Sequence, residues 1–189
     1  MKAGDSMAYT IRDATLDDAL GIAQVHVTTW KTSYRGLVPD SCVESLSVPL
    51  RAERLRKILA ARADTRQSVF VAVCEDAQVI GFAATGSQGS AGSPDEIGDP
   101  DYDAEILSMY VLPSRQRRGV GTALLRAVAT RLMAGGARSA FLWCFVSGPA
   151  VPFYEGAGAV RVRTKEASMD GAPVQVAGYA WTDLAQMLR

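Results

Sequence analysis

The sequence predicts a single domain of the α/β class, with strands and helices interleaved along one chain, and three stretches carry that prediction. Val111 to Met133, VLPSRQRRGVGTALLRAVATRLM, runs from the end of a β-like segment through a loop rich in Arg and Gln into two glycines and a strongly periodic apolar helix. Ala140 to Val146, AFLWCFV, is a continuous apolar run of the kind a central strand covered on both faces requires. Ser68 to Cys74 and Val79 to Thr85 are β-branched apolar runs separated by Glu75 to Gln78, the pattern of a β-hairpin.

The remaining elements follow in chain order. Met1 to Met7 reads as a polar, flexible leader, with Met7 as an alternative start and residues 8–189 as the domain. Ala8 to Ala14 alternates Tyr9, Ile11 and Asp13 as a short strand does. Thr15 then caps a helix with Asp17 and Asp18 in its first turn. Leu16, Ala19, Ala23, His26 or Val27, and Trp30 recur at helical spacing on a face expected to be buried, until Gly36 and Pro39 break the helix. Pro49 opens a second helix, Leu50 to Arg62. Leu55, Ile58 and Leu59 lie on its apolar side, and Arg51, Arg54, Arg56, Lys57 and Arg62 read as a solvated face.

Gly86 to Asp103 is a long, low-complexity loop containing Asp95, Glu96, Asp99, Asp101 and Asp103. It is either a solvated hairpin excursion or a rim that draws in a cationic substrate. Ala104 to Val111 is the strand that feeds the glycine loop. The helix from Gly119 carries Val120, Leu124, Val128 and Leu132 on its inner stripe and stops at Gly135-Gly136. Pro149 to Tyr154 fits one or two helical turns. Ala159 to Thr164 and Val174 to Thr182 form a final strand pair around Met169-Asp170-Gly171, and Leu184 to Arg189 is a short tail.

Composition narrows the function classes. Lys plus Arg equal Asp plus Glu at 20 each, which gives no electrostatic argument for nucleic acid or a membrane surface. No apolar run approaches the roughly 18 residues of a membrane span. Cys42, Cys74 and Cys144 are odd in number, far apart and without C-x-x-C spacing, so neither a disulfide framework nor a metal site is expected and a cytoplasmic setting fits.

The glycine loop carries the chemistry. Strand, glycines and helix start together make a phosphate cradle, because helix N-termini present unsatisfied N–H groups and glycine lets an anion approach them closely. Leu124 stands where a dinucleotide fingerprint needs its third glycine, and no GK[ST] follows as a Walker loop demands. The string is Gln116-Arg117-Arg118-Gly119-Val120-Gly121, or Q-x-x-G-x-G, which resembles the pyrophosphate loop of the GNAT acyltransferase superfamily. Pro152 to Ala159, PFYEGAGA, resembles that family's FYEKxGF segment. Val25 to Asp40, with Trp30, Tyr34, Gly36 and Pro39, is similar to the W-x-x-x-Y-x-G-x-x-P segment of many bacterial small-molecule members.

The resemblance implies a central mixed, mostly antiparallel sheet of six to seven strands flanked by about four helices. It implies an N-acetyltransferase that moves an acetyl group from acetyl-CoA directly to a primary amine of a small molecule, without a metal, and a homodimer with the final strands as its contact. The backbone N–H groups from Arg117 to Thr122 would grip the pyrophosphate, with Arg115, Arg117 or Arg118 on outer phosphates. By the same resemblance the backbone of Met109, Tyr110 and Val111 pairs with the pantetheine and supplies an oxyanion donor. Tyr154 falls near the sulfur as general acid; a free thiol titrates near roughly 8.5 and Tyr near roughly 10, so protonating the thiolate is modestly uphill. Trp30 and Tyr34 wall the acceptor pocket, or pack in the core. The family's Asn after the fifth strand is replaced by Val146-Ser147-Gly148-Pro149, where Ser147 can offer one hydrogen bond, and Ala159 stands in place of a Phe.

Two further candidates come from the residues themselves. Glu105 is a carboxylate in an apolar strand, hence either a general base whose pKa partial burial raises or an acid facing solvent at the strand edge. His26 sits on an amphipathic helix and reads as a packed residue. Two rival functions stay open: a non-catalytic acyl-CoA-binding sensor, which has no use for Tyr154, and acetylation of a protein N-terminus or Lys.

Overall fold

The strand periodicities assemble into one seven-stranded sheet with helices on both faces. A computed structural model describes residues 8–65, 67–87 and 99–189. The expected leader at residues 1–7 lies outside the described residues. The strands are β1 (Tyr9–Asp13), β2 (Ser68–Cys74), β3 (Val79–Ser87), β4 (Ala104–Val111), β5 (Ala140–Phe145), β6 (Val160–Met169) and β7 (Ala172–Trp181), in the spatial order β1-β2-β3-β4-β5-β7-β6. Every neighbouring pair is antiparallel except β4 and β5. The helices are α1 (Ala19–Ser33), α2 (Asp40–Glu44), α3 (Val48–Thr65), α4 (Val120–Ala134) and α5 (Val151–Gly156).

Each face of the sheet owns a core. On one side Ile22, Ala23 and Val25 of α1 and Ala52, Leu55 and Leu59 of α3 pack on Val69, Val71, Val73 and Phe82. On the other, Leu124, Leu125, Val128 and Ala129 of α4 pack on Phe70, Ala72, Ile80, Ile106 and Leu142. Fully burying each Leu contributes about 1.5–3 kcal/mol, so α4 is held by its inner stripe rather than by helix propensity alone.

The β4–β5 pair positions the site. Only Ala104 with Ala140 and Glu105 with Phe141 are in register. Immediately beyond, the β3–β4 register slips between Ala84 and Thr85, with Thr85 opposite Ile106 and Ala84 opposite Ser108. Leu107 is thus the extra residue of a β-bulge, which bends and twists β4. Past Glu105 the two parallel strands part, and a gap opens in the middle of the sheet.

Several elements differ from the sequence expectation. Leu16 does not join the buried face; it lies in a 3-10 turn, Leu16–Asp18, and is 52% exposed. The short helix α2 was not expected. The last hairpin is longer than its apolar pattern, because β6 is an exposed edge strand held mainly by its backbone pairing to β7. The supposed tail is a 3-10 helix, Leu184–Leu188, whose Leu184 and Met187 are buried in the α4 core. Strand β5 is covered on both faces only over Ala140 to Leu142; Trp143 to Phe145 are half-buried beside the gap. Cys42, Cys74 and Cys144 are free. Among the described residues no helix is long and apolar enough to cross a membrane.

Candidate active site

The loop after β4 is shaped by its backbone. Pro113–Arg115 forms a 3-10 turn and Gln116 is extended, with φ −68° and ψ 160°. Arg117 then takes φ 61° and Gly119 φ 81°, while Arg118 between them is not in the left-handed region. Alternating handedness turns successive N–H groups toward one side, the arrangement of an anion-binding nest. Gly119 caps α4, and the first helical bond runs from the Ala123 N–H to the Gly119 carbonyl. The N–H groups from Arg117 to Thr122 therefore find no acceptor among the described residues. Gln116 faces the strand: its Nε2 donates to the Val111 carbonyl at 3.1 Å and ties the loop to the end of β4.

A cavity of about 460 Å³ runs from this loop along the end of β4, between α1 and α5. Met109, Tyr110 and Val111 form its β4 wall, Gln116, Arg117, Gly119, Gly121 and Thr122 its loop end, and Tyr154 and Phe153 its α5 wall. Thr29, Ser33 and Tyr34 close it from the end of α1. Phe153 packs over the first turn of α4, where a Cβ on Gly121 would lie 3.4 Å from its ring. Trp181 secures α5 from below: its Nε1 donates to the Ala157 carbonyl at 2.8 Å and its ring meets Tyr154 edge-on.

The other expected site residues stand outside the cavity wall. Arg118 and Ser147 are exposed, Arg115 is half-buried, and Val120 points into the α4 core. Trp30 stands behind the wall, its ring 4.8 Å from that of Tyr34 and its Nε1 donating to the Tyr110 hydroxyl at 3.0 Å. Glu105 is buried at the last registered β4–β5 pair, about 13 Å up the strand from Met109 at the usual rise. Thr29, Ser33, Phe153 and the prolines Pro149 and Pro152 were not expected in the wall. Thr29 and Ser33, small polar residues one turn apart on the same helix end as Trp30 and Tyr34, are the signal that would have found two of them.

Burial holds the phenols and the thiol around the site protonated. Burial pushes the Tyr154 phenol well above its ordinary range, with Tyr110 and Cys144 adding to the effect. Burial likewise raises Tyr34, reinforced by Tyr110, Tyr154 and Cys144. The Cys144 thiol rises to about 11, mainly through burial. His26 is depressed to about 3 by burial and then by Arg51 and Arg54, so it is a neutral packing ring against Trp30, Phe82 and Tyr110.

The described acidic residues of the 86–103 loop are engaged elsewhere. Asp99 is buried and ion-paired with Arg163, which also bonds Asp101 at 2.5 Å. Asp103 accepts from the Arg138 and Ser139 N–H groups at 2.8 and 3.0 Å. The Asp103 contacts lie at the start of β4 and β5, the opposite end of β4 from the phosphate-type loop, and Arg163 stands on the edge strand β6 opposite Gly178. Asp95 and Glu96 lie outside the described residues.

Residues 32–159 match the model of the Acetyltransferase (GNAT) family. The chain is 32% identical over 178 residues to YuaI of Bacillus subtilis (strain 168), described as an uncharacterized N-acetyltransferase, covering 94% of this chain and 95% of that protein. The PaiA N-acetyltransferase of Thermoplasma acidophilum, solved with coenzyme A, superposes with a TM-score of 0.66 at 18% identity, over 90% of this chain and 98% of that one. An N-acetyltransferase of Staphylococcus aureus Mu50 superposes with a TM-score of 0.67 at 20% identity, over 94% and 99%. At such identities the structural likeness is one of fold.

Proposed function

The chain belongs to the acetyltransferase (GNAT) family, and from that premise we propose that it moves an acetyl group from acetyl-CoA directly onto a primary amine of a small molecule. Membership makes it an N-acetyltransferase with acetyl-CoA as cosubstrate. The observation that carries the proposal is one continuous cavity lined both by the loop residues Gln116, Arg117, Gly119, Gly121 and Thr122 and by Tyr154.

The residues fit that cosubstrate. The N–H groups from Arg117 to Thr122 and the positive end of α4 hold the pyrophosphate, with Arg115, Arg117 and Arg118 near the outer phosphates. The β4 edge from Met109 to Val111 lost its strand partner at the gap, so its main chain can pair with the amides of the pantetheine arm. One of its N–H groups polarises the thioester carbonyl. Tyr154 donates its proton toward the departing sulfur. Burial makes the phenol a weaker acid than in water, but the same burial makes a thiolate a stronger base, so the hydrogen bond stays effective. Glu105, at the vertex where the strands part and about 13 Å up β4 from Met109, receives the amine proton through a chain of waters. Trp30 and Tyr34 shape the acceptor side, and the exposed Ser147 offers its hydroxyl to the pantetheine arm in place of the family's Asn.

The reading includes a cytoplasmic, single-domain enzyme, supported by three free cysteines, and pairing of two copies through the final strands, supported by the exposed edge of β6, where Val160 is 65% exposed. The test is thiol release from acetyl-CoA against a panel of small amines, amino acids and aminoglycosides, with Tyr154→Phe alongside. Turnover on at least one amine is expected, and the variant should lose about 10²–10⁴ in kcat. Tight acetyl-CoA binding without turnover on any amine refutes the small-molecule acceptor, and no binding at all refutes the site.

A further inference from the structure

We propose that the acyl acceptor is an amine that also carries a carboxylate, and that Lys165, resting on Trp143, receives that carboxylate; this rests on the acetyl-transfer reading above. Phe141, Trp143 and Phe145 alternate onto one face of β5, opposite Ala180, Gly178 and Val176 of β7. Ala140 and Leu142 belong to the α4 core, so this aromatic face is turned toward the α1 side of the sheet. Its outer end reaches the cavity, because the Phe145 ring lies 5.2 Å from that of Tyr34 in the cavity wall. Phe145 and Met109 each follow the Phe141–Glu105 pair along their own strand, so they flank the gap at about the same level. Trp143 is two residues nearer the vertex, about 7 Å along the strand.

Gly178 lets this aromatic face lie flat: a Cβ there would come within 2.5 Å of the Phe141 ring and 3.4 Å of the Trp143 indole. Lys165 stands opposite Val176 on β6, and its ammonium lies 4.2 Å from the centroid of the Trp143 ring. A cation–π contact places the cation without giving its N–H groups an acceptor. Among the described residues Lys165 forms no ion pair. The indole beneath it keeps its Nε1–H buried and without an acceptor. A cation lacking a counter-ion, beside an unused donor, is a seat for an anionic oxygen.

The surrounding charge has the same sign. Among the described residues the cavity wall holds no carboxylate, and its one charged side chain is Arg117 at the loop end. Lys31 and Arg35, exposed beside Trp30 and Tyr34, have no ion pair, and Arg51 and Arg54 of α3 act on His26 one turn before Trp30. Asp40 and Glu44 of α2 offset two of these charges. Asp170 accepts from the Ser41 hydroxyl, Asp99 and Asp101 are held by Arg163, and Asp103 is held by the Arg138 and Ser139 N–H groups. A second ammonium on the acceptor therefore meets an excess of positive charge, whereas a carboxylate meets Lys165.

The experiment measures kcat and KM for matched acceptors, both α- and ω-amino: each amino acid, its primary amide, the decarboxylated amine, and a diamine of the same length. Wild type should prefer the acid over the amide by about tenfold or more in kcat/KM, with the difference residing in KM, and should use the diamine least. Lys165→Met should bring acid and amide within about two-fold of each other, while Lys165→Arg should keep most of the preference; urea denaturation confirms that both variants fold. A wild type that uses amide or diamine as well as the acid, or a Lys165→Met enzyme that keeps the full preference, overturns the inference while leaving the acetyl-transfer reading intact. Absence of turnover on every amine overturns both.

Discussion

Replacing His26 with Phe should remove a defined part of the chain's acid sensitivity. The ring is 7% exposed, its Nδ1 has no partner among the described residues, and it packs against Trp30, Phe82 and Tyr110. Arg51 and Arg54 of α3 add positive potential, and its pKa falls to about 3. The unfolded chain takes up a proton near pH 6.5, well before the folded chain does. Stability tied to neutral His26 is therefore complete above about pH 6.5, is lost as pH falls, and levels off near pH 3. At pH 5, some 1.5 units below the unfolded value, the loss is about 2 kcal/mol. The carboxylate of Asp18, held below its usual range first by its bond from Arg12, loses its contribution only at lower pH and does not blur this window. Urea denaturation at pH 8 and pH 5 is the assay. Wild type should lose about 2 kcal/mol more between the two than His26→Phe does. Equal losses would mean that His26 charges within the folded chain, and the buried-ring argument would fail.

Three other expectations follow. Gly119→Ala places a Cβ at φ 81° and 3.4 Å from the Tyr9 hydroxyl; it should cost about 1–2 kcal/mol of stability and weaken CoA binding more than tenfold by calorimetric titration. Arg117→Ala and Arg118→Ala should each weaken CoA binding by less than about tenfold, since exposed cations act in high dielectric; a hundred-fold loss would show that side chains rather than N–H groups hold the phosphates. Arg163→Ala leaves the buried Asp99 without its ion pair and should lower stability by about 2 kcal/mol in a urea titration. Its kcat should be unchanged, because Arg163 stands on the edge strand β6 and neither residue of the pair lines the cavity; a large drop in kcat would revive the acidic loop as part of the acceptor site.

What was legible in the sequence depended on the range of the interaction. Gln116 to Gly121 was readable because its function is local: two glycines, a strand end and a helix start all lie within a few residues. At Val120 only the backbone N–H belongs to that loop; the side chain, at helical pitch, turns into the core beside Leu124. Strand β6 was cut short at Thr164 because an edge strand with both faces in water needs no apolar alternation, only a partner backbone. Leu184 and Met187 carried a helical i, i+3 signal too brief to weigh alone, and only their burial against α4 gives it meaning. The aromatic wall was the least readable part. Tyr34, Tyr110, Phe145 and Tyr154 come from separate elements, and no spacing in the chain announces that they meet.

The gap between β4 and β5 explains why that meeting matters. An edge in the interior of a sheet exposes N–H and C=O groups that invite pairing, a liability normally confined to the sheet margin. Here the bulge at Leu107 creates such an edge at the centre, directly after the Glu105–Phe141 pair, and Gln116 and Thr29 close its far end by bonding the Val111 carbonyl. Between those limits the main chain of β4 is available only to something that enters the cavity. A ligand that is itself amide-bearing and extended matches it as a surrogate strand, whereas a compact metabolite does not. The aromatic rings then act on whatever lies at the inner end of that surrogate strand, where water is scarce and each hydrogen bond counts for more. Donor recognition therefore resides in backbone geometry, which many sequences can encode. On the proposed reading, discrimination among acceptors rests with Tyr34 in the cavity wall and Trp30 behind it, and substitution there should change which amine is acetylated while the acetyl-CoA Kd, read by calorimetric titration, stays unchanged.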